Sequence, residues 1–311
     1  MSASTPTTAA ERAAAAEAFV AVRALDDARL DLLTQVLQQL STWLPTAASA
    51  PDWSAHVAWR WVRRGQQGAL QPLPFHAGLA LQDLHGIDDQ RLRFDRNMRQ
   101  FVQALPANHV LLSGARGCGK SSLVRAALTE YAAQGLRVIE CDRQGLADLP
   151  EILARIAGRP ERFLLFCDDL SFDTGDHGYT ALKSVLDGSV AAVAPNLLVV
   201  ATSNRRHLMP DLQADNQQVT HVGTEIHPGE AIEEKVSLSD RFGLWLSFYP
   251  MDQDTYLAIA AHWATALGAA PADAAAFRAA ALDWALLRSS RSGRSAWQFA
   301  RDWTGRQGLE G

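Results

Sequence analysis

The chain has 311 residues, of which 48% are hydrophobic and 20% are charged, and its formal net charge is −5. The length leaves room for two or three small domains, and the hydrophobic fraction is enough for a sizeable core. The negative charge argues against a generally basic surface that binds nucleic acid. No apolar run approaches the roughly 20 residues of a membrane-spanning helix, so we expect no transmembrane segment.

The compartment is inferred from the start of the chain and from its cysteines. The first residues lack the charged and apolar parts of a signal peptide. Cys118, Cys141 and Cys167 are too few for a disulfide framework and lie in predicted core elements. We interpret them as reduced thiols that bind no metal, and we expect a cytoplasmic protein.

Residues 1–77 are predicted to form an N-terminal helical region that ends in a linker. Apolar residues recur at helical spacing up to Leu40, and glycines and prolines follow a tryptophan-rich patch. We interpret Trp53, Trp59 and Trp61 as packing anchors, and a stacking platform for bases is the alternative.

Residues 78–249 alternate strands with helices, which predicts a parallel sheet covered by helices on both faces. The predicted strands are 109–113, 136–141, 162–167, 196–202 and 244–248, and the predicted helices lie near 92–105, 119–133, 148–157 and 178–187. On the first of these helices, Arg93, Arg96 and Arg99 share one face. A solvated face is the favoured interpretation, and a subunit or nucleic-acid contact is the alternative.

Residues 250–311 show only helical periodicity, with helices predicted at 253–267, 271–287 and 294–304. We interpret this region as a separate small helical domain.

The segment from Gly114 to Ser121 reads G-x-x-x-x-G-K-S, between an apolar strand pattern and a helical pattern. This context predicts a P-loop, in which glycines let backbone N–H groups converge on phosphates and a helix N-terminus adds its dipole. Lys120 is expected to reach the β- and γ-phosphates, and the Ser121 hydroxyl to bind Mg²⁺. The expected phosphate-binding residues are Gly114, Ala115, Arg116, Gly117, Cys118, Gly119, Lys120, Ser121 and Ser122.

Two carboxylates follow the buried strand pattern at 163–167. An apolar strand that delivers acids to the carboxyl edge of a sheet, downstream of a P-loop, is the Walker B arrangement. Asp168 is expected to hold Mg²⁺ through water, and Asp169 to polarise the attacking water. Asn204 ends the next strand, where it could orient that water or contact the γ-phosphate.

These motifs, with an Arg-Phe pair at Arg241 and an arginine in the last helix, occur in the order found in AAA+ ATPases. Within that superfamily the chain resembles the DUF815 family of uncharacterised bacterial ATP-binding proteins. The stretches that carry this resemblance are 84–87, 112–122, 201–208, 225–230 and 238–248, and it extends over about 78–305.

The resemblance implies an α/β fold with a five-stranded sheet between helices and a C-terminal helical lid, with ATP bound between them at a subunit interface. Asn204 would be the sensor-1 residue, and Arg241 would be an arginine finger that enters the neighbouring subunit's site. Arg294 would be the lid sensor, with Arg291 as a competing candidate. His85, Gly86 and Ile87 would line the adenine pocket.

The sequence departs from the pattern in two places. Asp169 stands where many AAA+ enzymes have glutamate, so its carboxylate lies further from the water and hydrolysis is expected to be slow. Cys118 stands where threonine is common; a small packing residue is the favoured interpretation, and a redox-sensitive thiol is the alternative. The polar segment 211–234 is interpreted as an interface loop or partner-binding insert rather than a metal site.

We therefore expect a homo-oligomeric AAA+ ATPase that uses ATP and Mg²⁺ to remodel an unknown protein partner, with no membrane contact. One alternative is a slow nucleotide-dependent switch that selects partners. The other is a DNA-associated factor similar to replication initiators and helicase loaders. We rank it last and expect no nucleic-acid partner, because neither a helix-turn-helix nor a basic tail is evident.

Overall fold

A computed structural model describes residues 29–32, 34–36, 39, 50–64, 67–170, 177–187, 194–204, 220–222, 225–227 and 238–310. The chain divides into two compact units, Met1–Ala50 and Pro51–Gly311. In the first unit the described residues between 29 and 39 are helical and exposed. The remainder of the predicted N-terminal helices lies outside the described residues.

The second unit contains the predicted strands and helices, together with four strands that the pattern does not predict. The strands are β1 (Ala58–Arg64), β2 (Gln67–Pro72), β3 (Val110–Gly114), β4 (Leu136–Glu140), β5 (Arg162–Cys167), β6 (Leu197–Ser203), β7 (Thr220–Val222), β8 (Glu225–His227) and β9 (Leu244–Phe248). The helices are α1 (Asp88–Val102), α2 (Lys120–Tyr131), α3 (Leu149–Ile156), α4 (His177–Leu186), α5 (Gln253–Ala266), α6 (Ala274–Leu287) and α7 (Gly293–Glu310).

Seven of these strands form one sheet in the order β2-β1-β4-β5-β6-β3-β9. Every neighbouring pair is parallel except β1 and β2, which form an antiparallel hairpin. All residues of β3 and β6 are buried, as expected for central strands covered on both faces. The predicted α/β class with a P-loop fold is confirmed, and the carboxyl ends of β3, β5, β6 and β9 share one edge.

The prediction of a five-stranded sheet is wrong by two strands, because Ala58–Arg64 and Gln67–Pro72 are strands and not part of a helical region. They form the hairpin β1–β2, and β1 pairs with β4. Trp59 and Trp61 are both buried while Arg60 between them is exposed, which is the two-residue period of a strand. Trp53 is also buried. These rings pack in the core, and as buried side chains they offer no platform for stacking bases.

The lid helices α5, α6 and α7 have a hydrophobic cluster of their own that includes Tyr256, Phe277 and Phe299. Helix α7 extends to Glu310, well past the predicted end at 304. The proposed boundary at residue 249 stays a prediction. In the part of the chain that the structure describes, every helix is too short or too polar to cross a bilayer.

The arginine face of α1 is exposed in the single chain, and the choice between a solvated face and a subunit or nucleic-acid contact stays a prediction. Arg93 and Arg99 are exposed and pair with Asp89 and Asp95 one turn away. The same face lines a shallow hollow of about 550 Å³ together with Leu92, Arg96, Gln100 and Gln103.

Candidate functional site

The loop between β3 and α2 adopts a backbone path that requires glycine. The φ angles of Gly114, Gly117 and Gly119 are 135°, 78° and 100°, in the left-handed region. A Cβ atom on Gly114 would lie 2.0 Å from the backbone oxygen of Phe248. The loop leads directly into α2, whose N-terminus supplies unpaired N–H groups and a positive dipole end. This geometry suits an anionic ligand such as a phosphate.

The Lys120 ammonium lies inside this loop. Its Nζ donates to the backbone oxygens of Gly114 and Ala115 at 2.7 and 2.8 Å and to Asn204 Oδ1 at 3.1 Å. Burial lowers the pKa of Lys120, while the nearby Asp168 and Asp169 oppose that shift. The ammonium is therefore held at the place where the loop would cradle phosphates.

Asp168, at the end of β5, lies beside Ser121, the second residue of α2. Asp168 Oδ1 accepts a hydrogen bond from Ser121 Oγ at 3.0 Å and one from Thr202 Oγ1 at 2.7 Å. The two residues predicted to bind Mg²⁺ are thus brought together. A hydroxyl and a carboxylate are oxygen donors of the type that Mg²⁺ prefers, with phosphates and waters completing its octahedral shell. The residues present therefore fit that ion.

Thr202 is a site residue that sequence reasoning missed. It is buried near the end of β6, and its hydroxyl also accepts the backbone N–H of Asp169 at 2.8 Å. Cys167 is paired with Ala201 in the sheet, so the next residues, Asp168 and Thr202, lie side by side. The only signal for Thr202 in the sequence is a hydroxyl residue near the end of a predicted strand. Whether this hydroxyl lies beside Asp168 depends on the register of β5 against β6.

Asp169 has a left-handed backbone, with φ of 54°, which is uncommon for a residue other than glycine. Its Oδ1 accepts a hydrogen bond from Asn204 Nδ2 at 2.5 Å, and its Oδ2 lies 3.6 Å from Arg116 Nη2. Lys120 contacts the other end of the Asn204 amide. Lys120, Asn204, Asp169 and Arg116 therefore form a continuous polar chain across the mouth of the loop.

The N-terminus of α7 packs against the P-loop at Gly117. A Cβ atom on Gly117 would lie 2.9 Å from Ser292 Oγ and 3.4 Å from Arg294 Cβ. A Cβ atom on Gly293 would lie 3.2 Å from the backbone oxygen of Gly117. The structure thus brings residues 292–294, and with them the predicted lid sensor Arg294, to the glycine loop.

The segment 85–87 lies between the P-loop and the lid. Ile87 Cδ1 is 3.4 Å from the position of a Cβ atom on Gly119, and a Cβ atom on Gly86 would lie 2.3 Å from Thr255 Cγ2 in α5. The His85 ring meets the His262 ring edge to face at 4.4 Å, and burial is the main cause that lowers the pKa of His85. These contacts place the predicted base-binding segment beside the loop.

Arg241 lies at the amino-terminal ends of the strands, whereas the P-loop follows the carboxyl-terminal end of β3. It follows a helical turn at 238–240 and precedes β9, in which Leu244 is paired with Val110 and Phe248 with Gly114. The five residues of β9 lie between Arg241 and the position of Gly114, so the two residues are separated by roughly 15 Å along the strand direction. The structure does not bring Arg241 to Lys120 of the same chain; its Nε pairs instead with Asp187 Oδ1.

The three cysteines are buried free thiols. Burial raises the pKa of Cys118, and the neighbouring Lys120 offsets only part of this effect. A raised pKa keeps the thiol protonated and unreactive at neutral pH. This supports the packing role of Cys118 over the redox alternative. Most of the segment 211–234 lies outside the described residues; β7 and β8 within it form a short hairpin.

A family model described as a protein of unknown function, DUF815, matches residues 54–307. No curated protein matches the chain by sequence.

The solved structures similar to this chain include a RuvB variant from Thermotoga maritima, with 16% identity, coverage of 72% of this chain and 64% of that chain, and a TM-score of 0.49. This chain thus spans less than two thirds of the RuvB chain. A DNA replication initiation factor has 16% identity, coverage of 76% and 68%, and a TM-score of 0.47. A chain of the Escherichia coli MS115-1 HORMA:CdnC:Trip13 complex has 14% identity, coverage of 71% and 90%, and a TM-score of 0.44.

Proposed function

The chain belongs to the DUF815 family and has a P-loop fold of the AAA+ type, and we propose that it binds ATP with Mg²⁺ and hydrolyses it to ADP and phosphate. The observation that carries this proposal is the convergence of three elements at one sheet edge. Lys120 lies in the glycine loop, Ser121 contacts Asp168, and Asn204 contacts both Lys120 and Asp169.

The phosphates would bind to the N–H groups of 114–122 at the N-terminus of α2. Lys120 would then exchange its contacts with loop carbonyls for phosphate oxygens. This exchange is favourable because an anionic oxygen adds a Coulomb attraction to the ammonium that a neutral carbonyl lacks. Ser121 and Asp168 would hold Mg²⁺, which when bound neutralises the phosphate charge. His85, Gly86 and Ile87 would surround the adenine.

For hydrolysis, a water would attack the γ-phosphorus in line while Asp169 and Asn204 orient it. In the structure, the Asp169 carboxylate instead accepts from Asn204 and lies near Arg116. These two contacts occupy only part of the acceptor capacity of the carboxylate, and the Asp169 side chain is 59% exposed, so it can also accept from a water. Slow turnover is supported by the short side chain of Asp169, which ends further from the water than a glutamate would.

Arg294 is proposed as the lid sensor in preference to Arg291, because the residues that contact the P-loop are 292–294. Arg241 is proposed as a finger that acts on the nucleotide of a second copy. The observation that supports action in trans is the strand length between Arg241 and its own P-loop, which exceeds the reach of one side chain. A homo-oligomer follows from this arrangement.

Two uses of ATP are compatible with this site. The first is an oligomeric motor that remodels a protein partner. The second is a slow switch whose ATP and ADP states select partners, and the short side chain of Asp169 favours it. A DNA-associated role ranks last, and the absence of a nucleic-acid partner stays a prediction. We keep the cytoplasm as the proposed location because the three cysteines are free thiols.

Steady-state ATP turnover measured against protein concentration tests the proposal and separates its two forms. A motor with a finger in trans gives turnover per subunit that rises steeply as subunits assemble. A switch gives slow turnover at every concentration and retains bound nucleotide for a long time. Absence of nucleotide binding by calorimetry at any concentration would overturn both.

A further inference from the structure

The proposed finger Arg241 has a defined partner in its own chain. The Arg241 guanidinium contacts Asp187 Oδ1 through Nε, and the two side chains are 23% and 41% exposed. The pair therefore lies at the surface with the guanidinium largely covered. An ion pair in this setting is less screened by solvent than a fully exposed one, so it is able to hold an orientation.

The two backbones that carry this pair rest on one core. Leu238 and Phe242, on either side of Arg241, are buried in the same hydrophobic cluster as Leu182 and Val185 of α4. Asp187 follows the last residue of α4, and its N–H donates to the Lys183 carbonyl at 2.9 Å, which continues the helical pattern. Packing thus sets the distance between the two backbones, and the contact with Asp187 sets the orientation of the Arg241 side chain.

The position of Asp187 is unfavourable without a cation beside it. A carboxylate at the C-terminus of a helix meets the negative end of the helix dipole. Arg241 offsets this repulsion, so removing its guanidinium leaves the Asp187 carboxylate in a poor environment. The chain therefore retains at this point an acid that helix stability alone disfavours.

The contact through Nε also has a geometric consequence. The guanidinium is a planar fork with donors on Nε and on both terminal nitrogens. A carboxylate bound at Nε fixes the plane of the fork and is compatible with phosphate contacts at the terminal nitrogens. We propose that Asp187 is a positioning residue that orients Arg241 toward the γ-phosphate held by a second copy of this chain. This inference rests on the proposed action of Arg241 in trans.

The test uses two proteins that are each inactive alone. The acceptor carries Arg241→Ala, so its pocket is intact but it donates no finger. The donor carries Asp169→Asn, so it binds ATP without hydrolysing it and keeps its finger. Activity in the mixture arises at acceptor pockets beside donor fingers. Asp187→Asn, Asp187→Glu or the control Glu151→Gln is then added to the donor only, where its own pocket contributes no turnover.

The expected result is that Asp187→Asn in the donor lowers the recovered kcat about tenfold or more, with the KM for ATP unchanged, because a misdirected finger affects the transition state alone. Asp187→Glu should restore part of the activity, since it keeps the carboxylate. Glu151 is a matched control: it is also 41% exposed and pairs with an arginine, Arg155, at 2.7 Å. Its variant should recover the parental rate.

Rates are compared at equal assembly, measured by light scattering, and at equal thermal stability of the donors. Unchanged or faster turnover with the Asp187→Asn donor would overturn the role of Asp187 and leave that of Arg241 standing. An equal loss with Glu151→Gln would overturn it as well. If the parent donor restores no activity in assembled mixtures, Arg241 does not act in trans and the role of Asp187 is overturned with it.

Discussion

Lys120 donates to Asn204 Oδ1 at 3.1 Å, which joins the glycine loop after β3 to the end of β6. The contact exists because β6 lies between β3 and β5 in the sheet. The same Asn204 amide donates to Asp169. A phosphate that draws Lys120 away would therefore change the hydrogen bonding of the amide that holds Asp169. The proposed nucleotide binding and the position of Asp169, the proposed water-polarising acid, would thus be linked through one side chain.

Lys120→Ala should weaken ATP–Mg²⁺ binding about 100-fold or more, because the phosphates lose the buried ammonium of the loop. Isothermal titration calorimetry measures this directly. Arg125→Ala is the control, since Arg125 is an exposed cation on the same helix. Unchanged affinity in the Lys120 variant would exclude the loop as the phosphate site.

Asp169→Asn should bind ATP like the parent and lose hydrolysis by about 10²–10⁴-fold, because the amide cannot accept a proton from water. Single-turnover assays with bound ATP separate this loss from binding. Asp169→Glu brings the carboxylate closer to the γ-phosphate and should raise turnover. Parental hydrolysis by the Asn variant would show that another group polarises the water.

Thr202→Val should lower Mg²⁺ affinity and kcat by about 10–100-fold, because it removes the hydroxyl that bonds both Asp168 and the Asp169 backbone. The Mg²⁺ dependence of turnover is the readout. Thr202→Ser keeps the hydroxyl and should retain most of the activity. Thr129→Val, on the exposed side of α2, controls for loss of a threonine hydroxyl. Equal losses in the Val and Ser variants would contradict the role of the hydroxyl.

Arg241→Ala should bind ATP nearly normally and hydrolyse it about 10³–10⁵-fold more slowly, because its own pocket is intact while the neighbour's γ-phosphate loses its cation. Turnover should return when the variant is mixed with a protein that keeps Arg241 and carries Asp169→Asn. A dilute monomer of the parent chain that hydrolyses ATP at the full rate would contradict this arrangement.

Stability should fall as the pH drops from about 6.5 to about 4. Burial lowers the pKa of His109 from 6.5 to about 4, and His109 Nδ1 accepts the backbone N–H of Val199 at 3.0 Å. As the pH falls, His109 binds a proton in the unfolded chain before it does so in the folded one. The stability that neutral His109 contributes is therefore complete above pH 6.5, and at most about 3 kcal/mol of it is lost toward pH 4. The free energy of unfolding, measured with urea at several pH values in this range, should depend less steeply on pH for His109→Gln. Glutamine keeps a hydrogen-bond acceptor but does not titrate in this range. An identical slope would assign the pH dependence to other groups.

The sequence alone determined the parts of the site that are local in the chain. The strand, glycine loop and helix at 110–131 were predictable because each has its own short-range pattern, and the glycines with positive φ are adjacent to the Lys120 and Ser121 that they position. The buried strands were predictable for the same reason, since continuous apolar runs of strand length indicate a parallel sheet.

Only the tertiary structure decided which distant residues meet. The hairpin β1–β2 joins the sheet because Trp59 and Trp61 pack in a hydrophobic core formed by later strands. The alternation of buried and exposed residues in β1 is too short to predict a strand from the sequence. The pairing of Cys167 with Ala201 set Thr202 beside Asp168, and the packing of α4 against the turn before β9 set Asp187 beside Arg241. Strand register and helix packing depend on the whole hydrophobic core. Residues far apart in the chain therefore contact these partners only once the core has formed.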